Sequence, residues 1–279
     1  MHAATTDLPA LLDAVSALGR AARYDEALAL LDATQPADEA DRLALLMARA
    51  GVVGRRDYTR GVPSGADHPL DAATELAREL GTGPTTSWDL AMLHLRRQYA
   101  DQLVDGIGPA GRDQAVVAAM TVEATRLRDT APDDGRRGWA LMCLGWIADN
   151  LRGDRDHAPA HYEQALGLGR AVDDPVLVFE AQRHLGDHAH DDGDHAAALA
   201  AWQESATAAA RGGHVLGVLA QQVLLAVLAR DAGDEAGARA LAAETLRWAD
   251  AVGAARLAAQ AADVLAGVDP TQPPPGSQG

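Results

Sequence analysis

The stretch Arg183–Leu199, RHLGDHAHDDGDHAAAL, holds four histidines and four aspartates within seventeen residues. Residue types of this kind can chelate a metal or move protons. On a helical wheel of about 100° per residue, His184, His188 and Asp191 share one flank. Two histidines one turn apart with a carboxylate beyond them are a zinc-like set. Leu185 occupies the position where a zinc protease carries its acid, and no fourth ligand is evident. The expectation is therefore that no metal and no cofactor binds, with His184, His188 and Asp191 as the alternative. Glu180, Arg183, Asp187 and His190 fall on the opposite flank, where His190 with Asp187 is the pair able to do acid–base chemistry. Asp191, Asp192 and Asp194 lack the spacing of a calcium loop and read as a solvated turn.

Other residues of the same chemical weight lie upstream. Trp139, Met142, Trp146 and Asp149 follow helical spacing, and Trp88, His94, Arg96, Arg97 and Tyr99 occupy a long helix over 86–105. The segment 52–69, VVGRRDYTRGVPSGADHP, reads as an irregular insertion loop. Its Arg55, Arg56 and Arg60 are suited to holding a carboxylate or phosphate.

Composition narrows the classes. The 279-residue chain carries 24 basic and 40 acidic side chains, a net charge of −16, so nucleic acid and anionic membranes are not expected partners. Every basic residue is arginine, with no lysine and one asparagine, Asn150. One cysteine, Cys143, allows neither an internal disulfide nor a multi-cysteine metal site. The start, MHAATTDLPALL, has no basic leader or signal-length apolar core, and no run is long enough to span a bilayer. A cytoplasmic protein is expected. No phosphate-binding glycine loop or nucleophile elbow is present.

The elements that must position these side chains repeat. Gly153, Gly193 and Gly233 recur every 40 residues, as do Ala158, Ala198 and Ala238. Tyr162, Trp202 and Ala242 keep the same step, followed by Ala165, Ser205 and Thr245. Leu144-Gly145, Leu185-Gly186 and Leu225-Ala226 also correspond, with a one-residue slip in the first copy. Self-similarity at this period predicts a helical solenoid, each unit being two helices around a Gly-Asp turn.

This pattern resembles the tetratricopeptide repeat: Leu-Gly on the first helix, Gly-Asp at the turn, then alanine, a large residue and alanine on the second. The best match is Leu185–Ala206, and the resemblance is specific over about 134–251, in a longer, roughly 40-residue form. It implies an all-α fold, a right-handed superhelix of about 12–13 helices in antiparallel pairs. A single domain is expected over 1–267, with ARYDEALALLDAT supplying a second helix cored by Ala27 and Leu31. A capping helix is expected over 254–267, and a Pro-rich disordered tail over 268–279.

In that family the first helix of each unit lines a concave groove. The resemblance thus gathers Trp139, Met142, Trp146, Asp149, Glu180, Arg183, Asp187, His190, Ala220, Val223, Val227 and Arg230 into one strip, with Arg56 and Trp88 as a further wall. Tryptophan and arginine dominate binding hot spots. The family's chaperone adaptors clamp a C-terminal carboxylate with lysine, asparagine and arginine on successive first helices. With no lysine and one asparagine, this chain is not expected to carry that clamp in recognisable form, and repeat-like sequence begins too near Leu8 for a preceding DNA-binding domain to be expected. Two functions follow. One is a non-catalytic interaction protein that binds a peptide or partner-protein segment in the groove. The alternative is an enzyme or receptor holding an anionic or aromatic small molecule there, with His190 and Asp187 as its acid–base pair.

Overall fold

The computed structural model describes residues 7–62, 65, 68–104 and 106–271. Among them the chain forms thirteen α-helices and no strand. The helices are α1 Leu8–Arg20, α2 Tyr24–Asp32, α3 Glu39–Arg60, α4 Pro69–Leu80, α5 Pro84–Gln102, α6 Gln114–Asp129 and α7 Asp134–Trp146. A π-helical turn, Ile147–Leu151, extends α7. There follow α8 Ala158–Ala171, α9 Pro175–Asp191, α10 His195–Arg211, α11 Val215–Asp231, α12 Glu235–Ala251 and α13 Ala255–Leu265. The fold is an all-α helical repeat. From α9 onward the helices begin at 175, 195, 215, 235 and 255, so each helix and its turn take 20 residues.

The chain, expected as one domain over 1–267, divides into two compact units, Met1–Val172 and Asp173–Gly279. In each, consecutive helices pack as pairs, α1 with α2, α3 with α4, α5 with α6 and α7 with α8 in the first, α9 with α10 and α11 with α12 in the second. First helices also touch the next first helix, α1 against α3, α3 against α5 and α11 against α13. The expected core residues Ala27 and Leu31 of α2 are buried. Four residues of the expected 52–69 loop (63, 64, 66 and 67), and 272–279 of the expected tail, lie outside the described residues.

The repeated Gly-Asp turn has a local cause. Gly153, Gly193 and Gly233 have φ of +64°, +81° and +86°, the left-handed region that glycine enters without a Cβ penalty. Aspartates then cap the following helices: Asp194 accepts from the Ala197 amide at 2.9 Å and Asp234 from Gly237 at 2.8 Å. Asp133 and Asp174 do the same for α7 and α9. Such a cap is worth about 1 kcal/mol. Asp194 is exposed in the turn, as expected, and also caps the following helix.

The Leu-Gly and large-residue positions are two halves of one contact. A Cβ on Gly145 would overlap the Tyr162 ring, and one on Gly186 would overlap the Trp202 indole. Tyr162 and Trp202 are fully buried. In the next copy the glycine becomes Ala226 and the large residue shrinks to Ala242, both buried. The one-residue slip also has a structural origin. The π-helical turn at Ile147–Leu151 holds one more residue per turn than an α-helix. It lengthens the interval from Gly145 to Gly153 relative to that from Gly186 to Gly193.

One expectation fails here. Residues 52–60 are not a loop but the last turns of α3, which ends at Gly61 with φ of +65°. Val52, Val53 and Asp57 are buried along this stretch, and that tertiary packing holds the helix through Gly51 and Gly54.

Candidate functional site

In Met1–Val172, α5 and α7 bring aromatic side chains together on the first-helix face. The rings of Tyr99 and Trp146 stack with centroids 5.5 Å apart and planes 20° apart. Trp139 lies 6.4 Å from Trp146, tilted by 52°. The Arg96 guanidinium sits 4.4 Å above the Trp139 ring, a cation–π distance. Trp139, Trp146 and Tyr99 are each half-buried. The π-helical turn pins the group: Asn150 Nδ2 donates to the Tyr99 hydroxyl at 2.7 Å, and the Tyr162 hydroxyl donates to Asp149 Oδ2 at 3.2 Å.

Three of the expected binding residues of this unit belong elsewhere. Met142 is fully buried, because it lies one turn from Trp139 on the side that packs into the core. Trp88 is 5% exposed, and its indole N–H donates to the Leu127 carbonyl at 2.8 Å, which ties α5 to α6. Arg56 is occupied by its neighbour, with Nη2 3.0 Å from Asp57 Oδ1. Cys143 is buried with its Sγ 3.7 Å from Met92 Sδ, and burial pushes its thiol pKa up, which opposes a nucleophilic role.

In Asp173–Gly279 the histidine-rich segment is α9 and the start of α10. His184 and His188 are buried, not solvated. Asp187 accepts from the Trp202 indole N–H at 3.0 Å and lies 3.9 Å from Arg183 Nη2. His190 pairs with Asp231 of α11 at 3.0 Å and packs 5.3 Å from the Trp202 ring. The expected Asp187–His190 dyad is thus replaced by two separate pairings, made by α10 and α11. Asp191 lies 3.9 Å from His190. Among the described residues no three histidine, cysteine, aspartate or glutamate side chains are placed to hold a metal ion. Arg230 reaches Asp269 at 3.2 Å and the Val268 carbonyl at 3.2 Å, tethering the segment after α13. Val223 and Val227, expected on the strip, are core.

A cleft in the first unit was not foreseen. About 270 Å³ in volume, it is lined by residues that include Thr121, Leu144, Arg152, Asp154, His157 and His161. His157 Nδ1 lies 2.7 Å from Asp154, whose hydrogen bond raises the histidine's pKa. The regular His157–His161 spacing was the available signal, masked by the denser cluster downstream.

His161 belongs to a wider pattern. Burial is the first cause holding His68, His94 and His161 of this unit below the ordinary histidine value of about 6.5. For a base with a depressed folded pKa, the unfolded chain takes up the proton first as pH falls. Stability is therefore full above about pH 6.5 and declines as pH drops toward the folded values. The urea midpoint of the helical signal should fall between about pH 7.5 and pH 5.5, with net proton uptake on unfolding. A midpoint that rises over this range would contradict the three assignments.

No protein-family model and no curated protein matches this chain. Among solved structures it is similar to the crystal structure of a Rap protein complexed with competence and sporulation factor. The TM-score is 0.51 at 13% sequence identity, over 88% of this chain and 68% of the Rap chain. At that identity the likeness is one of fold, an all-α helical repeat. No described helix is long and apolar enough to cross a membrane.

Proposed function

We propose that the chain is a non-catalytic, tetratricopeptide-like protein that binds a peptide or a partner-protein segment on the first-helix face of Met1–Val172. The roughly 40-residue repeat is, on this proposal, a long form of that family. The observation that carries it is the aromatic group of Tyr99, Trp146 and Trp139, in which Tyr99 stacks on Trp146, Trp139 packs tilted beside it, and all three are half-buried. Aromatic side chains already fixed by stacking lose little conformational freedom on binding, so a partner gains most of their contact energy. The Rap protein of similar fold is complexed with a factor of its own, which is compatible with a binding role here. Asp149, held by Tyr162 beside the group, supplies a polar edge. In Asp173–Gly279, Arg183 is proposed as a separate contact, its side chain 35% exposed. The buried, unpaired Cys143 suits a protein of the cytoplasm, where we place this one.

Trp139→Ala combined with Trp146→Ala tests the proposal. Helical circular dichroism should be kept while pull-down of the bound partner is lost, since two aromatic anchors at about 2 kcal/mol each amount to roughly a thousandfold. Undiminished pull-down would remove this face from consideration.

A further inference from the structure

On the same first-helix face, three arginines converge from three successive pairs. Arg20 ends α1, Arg55 is near the end of α3, and Arg96 is in α5. Arg55 comes so close to α1 that a Cβ on Gly19 would lie 2.8 Å from its Nη2, so the glycine makes room for the guanidinium. Arg20 and Arg96 both lie near enough for their charges to act on Arg55. Burial first, then these two neighbours, hold the Arg55 pKa below the ordinary arginine value. Arg96 in turn carries the cluster to the aromatic group through its contact with Trp139.

The cluster is anomalous in an acidic chain. Several other arginines of this unit pair with carboxylates, as in Arg56–Asp57, Arg97–Asp71 and Arg136–Asp89. The Nε atoms of Arg55 and Arg96 are instead buried with no hydrogen-bond partner, and neither residue forms an ion pair with a described residue. A buried charge without a counter-charge weakens the fold, and three like charges in one place weaken it further. Among the described residues, no carboxylate forms an ion pair with Arg55 or Arg96.

We propose that Arg20, Arg55 and Arg96 form a carboxylate site beside the Tyr99–Trp146–Trp139 group, taking a ligand whose carboxylate adjoins an aromatic or apolar moiety. Guanidinium forks match a carboxylate in two-point geometry, and the adjacent indoles accept the ligand's apolar part. The proposal rests on the peptide-binding face described above, and assigns it the acidic end or side chain of that peptide.

The test uses the full chain and three probes in isothermal titration: N-acetyltryptophan, its uncharged amide, and inorganic phosphate. N-acetyltryptophan should bind about tenfold or more tightly than the amide, and more tightly than phosphate. Arg55→Met should erase the preference for the acid while leaving the thermal midpoint of the free protein unchanged or raised, since it removes an uncompensated charge. Gly19→Ala, whose added Cβ displaces only the flexible end of Arg55, should weaken acid binding with the fold intact, and serves if Arg55→Met does not fold. Acid and amide binding alike, neither binding, phosphate binding more tightly, or an acid preference that survives both substitutions would each overturn the site. If acid and amide bind alike and both are lost in the double tryptophan variant, the carboxylate site fails but the aromatic face stands. If the acid preference holds while pull-down ignores the tryptophans, the face fails and the site stands.

Discussion

Gly186→Ala is expected to destabilise the protein by about 2–3 kcal/mol, a large effect for one added methyl group. The new Cβ would overlap the Trp202 indole, which is 1% exposed and has no room to retreat. The clash falls on the ring's Cδ1–Nε1 edge, where the N–H is already held by Asp187 at 3.0 Å and the Arg183 carbonyl at 3.2 Å. Trp202→Ala alone should cost about 3–5 kcal/mol through the cavity it leaves. The double variant reproduces the Ala226–Ala242 pair of the following copy, so its cost should fall at least about 1 kcal/mol short of the sum. Urea denaturation of the four proteins measures this. Strict additivity would show that the two positions do not form a complementary pair. Gly145→Ala should behave likewise against Tyr162.

The second large effect is expected at Trp88. Trp88→Ala should cost about 3–5 kcal/mol, because it empties a buried site between α5 and α6. Trp88→Phe should recover much of the packing but leave the Leu127 carbonyl without its donor, at about 1–3 kcal/mol. Trp139→Ala, half-buried and outside the core, should cost less than either. The two tryptophans thus separate by readout: Trp88 variants shift the denaturation midpoint, whereas Trp139 variants shift partner binding. Full stability in Trp88→Ala with impaired binding would reverse the assignment.

The fold was legible because its markers are local. A glycine every 40 residues at a left-handed turn, followed by a capping aspartate, leaves its mark in the residues themselves. The glycine opposite Tyr162 or Trp202 does too, since no other residue type allows that approach. The site was only partly legible. Periodicity put Trp139, Trp146 and Asp149 together but could not distinguish their flank from that of Met142, one turn away and fully buried. In α9, Asp187 and His190 share a flank on the wheel, yet their partners come from α10 and α11, which no local spacing reveals. Arg55 was visible as one of three arginines in a row of breakers. Its reach to Gly19, some 36 residues earlier, depends on α3 continuing to Gly61, a matter of buried Val52 and Val53.

The π-helical turn behaves like a dislocation healed within a crystal row. One surplus residue enters between Gly145 and Gly153, and the numbering and the spatial order part company there. By Tyr162 they agree again, since Tyr162 packs on Gly145 as Trp202 does on Gly186. The defect is also put to use, since the backbone it displaces swings Asp149 toward α8 and Asn150 toward α5.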